Sequence, residues 1–234
     1  MPWKTIDPDR AWSFDYAFDK KGEQFANSCA IKLREGELLV LSPALGVSEA
    51  DFAEIEKHGR PVALVSTNGF HHLGLPEWNK RYPDAKLYAS SAAAARISKK
   101  HASLPAFEPL SKLSAVCPDD VVIYDPPGMR IPDVMARFST KNGWVWAFND
   151  TVMNIPKLPS GVFGTLMKWT DSGPGFKVTR MFTKVAVKDK KSFKSWWLSE
   201  LEKAPPSKIF TSHGQPILDA ATAAKLPAMV QTAL

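Results

Sequence analysis

The sequence predicts an α/β protein in which short strands and helices pack as layers. Apolar runs of strand length alternate with helical segments bearing start and stop signals, and this happens in both halves of the chain. The residues with the most chemistry, His71, His72, Asp150 and His213, each follow directly on a predicted strand. Strand ends of one sheet region bring residues distant in sequence to one place, which ligands scattered along helices would not do. At 234 residues, with no internal repeat and no clear linker, residues 1–234 are expected to form a single domain.

The elements follow in order. "SCAIKLREGELLVLSPAL" holds two apolar runs around "REGE", where Gly36 frees the backbone to turn, so residues 28–42 predict a β-hairpin. Ser48 is placed to cap the next helix, with Asp51 three residues on and Val47 and Phe52 as a hydrophobic staple; "HG" at 58–59 stops it. "PVALVST" predicts a strand, followed by a loop with His71 and His72 and a helix opened by Pro76. "AKLYAS" predicts a strand and "SSAAAARISKKH" a serine-capped helix with a basic last turn. After a proline-rich connection come the strands "DVVIYDPPG" and "GWVWAFND", the second closed by Asp150. Residues 156–176 are expected to be a long loop or insertion able to cover a pocket. A helix opening at Asp189 sets Phe193, Trp196, Trp197 and Leu201 on one face, Pro205 and Pro206 end it, and "SKIFTSHGQPI" predicts a last strand reaching His213.

Composition narrows the function classes. An apolar share of 44% and a charged share of 23% are those of a globular protein, and no stretch reaches the roughly 20 apolar residues of a membrane span. "MPWKTIDPDRAW" lacks the basic and apolar regions of a signal peptide, and Cys29 and Cys117 form no CxxC pair. A cytoplasmic protein with buried, unbridged cysteines, and no membrane partner, is therefore expected. The net charge of +6 allows an anionic small-molecule partner. The lysines around residues 188–203 read as the solvated face of a core-packed helix, and the aromatics do not interleave with basic residues as in a nucleic-acid module. No GxSxG, GxxxxGK[ST] or GxGxxG pattern is present, so serine-hydrolase, P-loop and dinucleotide-fold readings lack local support.

Vicinal histidines on a regular strand point to opposite faces, so His71 and His72 could serve one ion only if the backbone turns there, as Asn68 and Gly69 allow. Around them, the hairpin "SCAIKLREGELLVLSP", the loop "STNGFHHLGL", the strand end "FND" at 148–150 and "FTSHGQPI" resemble, in order and context, the metallo-β-lactamase-like hydrolase superfamily over residues 25–220. "STNGFHHLGL" falls where that family has T-H-x-H-x-D-H-x-x-G, and "SHGQP" where it has GHG-x-P.

The resemblance implies an αββα four-layer sandwich with a metal site at the edge between two sheets. It also implies a divergent branch with a degenerate motif. With Ser66 at the motif threonine, Thr67 and Gly69 replace the first two histidines, His71 stands at the aspartate and His72 at the third histidine. The middle histidine's place falls near "DPPGMRIPD", at Met129 or Arg130. Candidate ligands for one metal remain, namely His71, His72, Asp150 and His213, a set suited to zinc, iron or manganese. Asp150 and His72 are the candidate catalytic residues; Asn68 and Arg130 are candidate substrate contacts, Arg130 through an anionic group. Two functions stay open: a mononuclear metal-dependent hydrolase of an ester, lactone, amide or phosphoester, or a metal-free binding or structural protein on the same fold.

Overall fold

A computed structural model describes residues 3–19 and 24–234. The chain forms two compact units, Met1–Ile123 and Tyr124–Leu234.

The first unit is built on a seven-stranded sheet in chain order. Its strands are β1 Lys4–Asp7, β2 Ala11–Ala17, β3 Phe25–Arg34, β4 Glu37–Leu41, β5 Arg60–Val65, β6 Lys86–Ala89 and β7 Glu108–Pro109. The first four pair antiparallel, as hairpins allow; from β4 onward the pairings are parallel because helices make the crossovers. Those helices are α1 Glu49–Glu56, α2 Leu75–Arg81 and α3 Ser91–Lys100. The expected hairpin is β3–β4, with Gly36 at φ +76° in its turn.

The expected caps are present. Ser48 Oγ accepts from Asp51 N at 3.2 Å, and Ser90 Oγ accepts from Ala93 N at 3.3 Å. Phe52, Trp78 and Tyr82 pack edge to face, and with Val47, Leu64 and Leu87 they centre one apolar core. The sheet begins earlier than the sequence reading anticipated, since β1 and β2 were not foreseen.

The second unit holds a four-stranded sheet of order β13-β10-β9-β8, from β8 Val121–Tyr124, β9 Met135–Thr140, β10 Gly143–Phe148 and β13 Pro206–Thr211. A separate ribbon pairs β11 Val152–Ile155 with β12 Gly175–Val178. The helices are α4 Gly161–Trp169, α5 Arg180–Ala186, α6 Lys190–Lys203, α7 Ala220–Ala223 and α8 Leu226–Ala233. Asp189 caps α6, accepting from Ser192 N at 3.0 Å. Phe193, Trp197 and Leu201 of α6 are buried against Trp146, Phe148 and Ile209, while the lysines stay outward, as expected.

The expectation for residues 156–176 is corrected by the structure. The stretch contains α4 and the start of β12 rather than a long loop. Four glycines and three prolines argue for a loop there, Gly164 among them, since glycine disfavours a helix interior. Here it permits close packing: a Cβ at Gly164 would fall 1.8 Å from the Pro159 carbonyl oxygen. Both cysteines are free thiols, Cys29 buried and Cys117 half-buried; burial pushes the Cys117 thiol up to about 11.

Candidate metal centre

In the first unit, the histidine loop leaves the end of β5 and is tied down at each step. Ser66 Oγ donates toward the carbonyl oxygens of Asn68 and His71, both at 2.8 Å. Asn68 Oδ1 accepts from Phe70 N at 2.8 Å and His71 N at 3.2 Å, so its side chain closes the turn and is buried doing so. Thr67 shares a 2.6 Å hydroxyl contact with Ser42. Gly74 lets the chain pass the β4–α1 connection, where a Cβ would meet the Ala44 carbonyl oxygen at 2.1 Å. The result is a rigid turn that separates the two imidazoles.

His72 has partners within its own unit. Its Nδ1 lies 2.8 Å from His101 Nε2, and Lys100 Nζ lies 3.3 Å from its Nε2. An ammonium only donates, so Nε2 accepts and the His72 proton sits on Nδ1, from which it is donated to His101. Burial, with the Lys100 and His101 charges added, pushes His72 down to about 4, so the ring stays neutral at ordinary pH. His101 caps α3 through its backbone and also holds His72.

In the second unit, β10 and β13 are neighbouring parallel strands with Phe148 opposite Thr211. Two residues beyond that pair, on each strand, stand Asp150 and His213. The His213 Nε2 to Asp150 Oδ1 distance is 3.1 Å, with both side chains largely shielded from solvent. Two ligands held about 2.0–2.1 Å from one tetrahedral ion lie roughly 3.3 Å apart, so this spacing fits a shared metal as well as a direct ion pair.

Supporting residues fix both partners. Asp133, fully buried just before β9, accepts from Asn149 Nδ2 at 2.9 Å, Asp150 N at 3.4 Å, Thr151 N at 2.9 Å and Thr151 Oγ1 at 2.5 Å. His213 O accepts from Asn154 N at 3.0 Å, and Gln215 N donates to Asn154 O at 2.9 Å, which binds the histidine turn to β11. Gly214, at φ +93°, makes that turn possible: a Cβ there would lie 1.9 Å from the Asn154 oxygen. Asp133 and Asn154 were not singled out from the sequence. The available signal was an aspartate between Pro132 and the apolar run Val134–Met135.

The remaining candidates are placed elsewhere. Asn68 uses its side-chain oxygen on its own loop. Arg130 is exposed, and its guanidinium donates to the Val185 carbonyl oxygen.

No family model matches the sequence, and neither does any curated protein. Solved structures do match over nearly the whole length. The chain superposes on the DIM-1 metallo-β-lactamase with a TM-score of 0.59 at 14% identity, covering 99% of this chain and 97% of that one. The chain has the metallo-β-lactamase fold. A metallo-β-lactamase from Hirschia baltica gives 0.58 at 11% identity, and one from Pontibacter korlensis 0.57 at 12%, each over 98% of both chains. Within the metallo-β-lactamase fold, the expected α/β class is the observed one.

Proposed function

We propose that this chain, read as a single metallo-β-lactamase-like domain over residues 1–234, is a divergent hydrolase that holds one metal ion. The observation that carries the reading is the Asp150–His213 pair, set at equivalent positions beyond neighbouring parallel strands and locked there by Asp133 and Asn154. The donors that support it lie together in the second unit, His213 Nε2 and Asp150 Oδ1. An imidazole and a carboxylate suit zinc, and also iron or manganese. When bound, such an ion supplies Lewis acidity and lowers the pKa of water.

The chain's own groups do the rest. Asp150 fixes the orientation of the His213 ring and can take up a proton at its carboxylate. His72, held between Lys100 and His101, is not assigned as a ligand, because both ring nitrogens are engaged. Esters, lactones, amides and phosphoesters are the substrate classes to test, with β-lactams prompted by the names of the structural neighbours. A second reading, a metal-free binding protein, is favoured by the engagement of His72 and by Thr67 and Gly69 standing where the motif has histidines.

Elemental analysis of protein produced with ample zinc, iron and manganese separates the two. About one ion per chain is expected, lost on Asp150→Ala or His213→Ala and retained by His72→Ala. Metal-free wild-type protein under those conditions would leave the binding-protein reading standing.

A further inference from the structure

Helix α4 carries its apolar stripe on the wrong side for core packing. Val162, Leu166 and Trp169 recur at helical spacing and share one face. That face points to solvent, with Val162 87% and Trp169 83% exposed, and Phe163 beside it is 54% exposed. The helix is anchored by its other face, where Gly164 and Met167 are buried. Scattered exposed apolar residues are ordinary, but four on one short helix, tryptophan among them, mark a surface that something covers.

The surrounding charge says what kind of surface that is. Residues 151–188 hold Lys157, Lys168, Lys177, Arg180, Lys184 and Lys188 against the single acid Asp171, five of the chain's six net positive charges. Lys157, Lys168, Lys184 and Lys188 are exposed. An open cleft of about 420 Å³, lined by β12 and α8, adds Lys225 to Lys177 and Arg180, both of which pair with Asp171 in its lining. A second copy of the chain is a poor occupant, because a two-fold contact would set this charge against itself.

We propose that α4 docks the protein on an anionic lipid surface. Trp169, Leu166, Val162 and Phe163 enter the headgroup boundary, and the flanking lysines face the lipid phosphates and carboxylates. No helix of the described residues is long and apolar enough to cross a membrane, so the association is peripheral and reversible.

The test is flotation of the full chain with vesicles of phosphatidylcholine alone and of phosphatidylcholine with about one-third phosphatidylserine. Binding to the anionic vesicles at least about tenfold stronger than to neutral ones is expected, weakening steeply with salt. Trp169→Ser, Val162→Ser and Lys168→Glu should each lower partitioning about tenfold, with the far-UV circular dichroism spectrum unchanged. Equal binding to both vesicle types, or to neither, overturns the proposal. So does a dimer that Trp169→Ser dissociates, or retention of duplex DNA or an acidic polypeptide, when vesicles are not bound.

Discussion

At Asp133 one buried carboxylate receives an amide side chain, two backbone N–H groups and a hydroxyl, all from the turn that carries Asp150. Removing it strands several buried donors at once, so Asp133→Ala should cost about 3 kcal/mol in urea unfolding and lower metal occupancy without touching a ligand. Gly214 is equally constrained, by positive φ and by the Asn154 oxygen. Gly214→Ala should destabilise by about 3 kcal/mol or more by the same measurement, whereas Gly36→Ala, with open space around its Cβ, should cost only the backbone strain of about 1 kcal/mol. The candidate residues Asp150 and His213 were legible because strand-end position is visible in an alternating pattern. The residues holding them were not, since a buried aspartate and a clamping asparagine carry no periodic signal. The contact between His72 and His101 was also hidden: it joins residues 29 positions apart, and local pattern does not encode such pairings.

Helices α1 and α2 are joined at their ends by charge as well as by the aromatic core. Arg81 donates to Glu56 Oε1 at 3.0 Å and to Glu49 Oε2 at 2.6 Å, and Tyr82 donates to Glu56 Oε1 at 2.8 Å. The Arg81 hydrogen bond holds the Glu56 carboxyl below its ordinary value of 4.5. The folded state therefore binds this proton less readily than the unfolded chain. The Glu56 contribution is present above pH 4.5 and is lost as pH falls through the lower folded value. Glu56→Gln should lower the melting temperature by about 1–4 °C at pH 7, with the gap to wild type closing in acid. Capping offers a second test at this scale: Ser48→Ala should cost about 1 kcal/mol by urea unfolding. Such caps were readable because they are short-range chemistry. The mistaken loop at 156–176 shows the opposite limit, because the same glycine signals flexibility in isolation and close approach in a packed structure.

Over the whole molecule, the α/β class followed from alternation of periods, and the metallo-β-lactamase fold from the order of four short stretches. No single motif stood intact. Elements whose apolar faces are short or broken, such as β1, β9, β11 and α5, escaped notice because four to seven residues carry too little pattern to separate a regular element from a loop. The charge excess, concentrated in one segment, is a molecular property with its own consequence: solubility should fall as pH approaches the isoelectric value near 9.2 and recover beyond it, measurable by turbidity.

The parallel alignment of Phe148 with Thr211 also acts as a gauge of correct assembly. Sliding the last strand by a single position would bring Ser212 or Gly214, neither of them a nitrogen donor of comparable kind, beside Asp150 and would exchange the faces on which Ile209, Phe210 and Thr211 are packed. Chemistry and sheet geometry thus proofread each other: a chain that docks its final strand one notch out loses its core packing and its ion-binding competence in the same misstep.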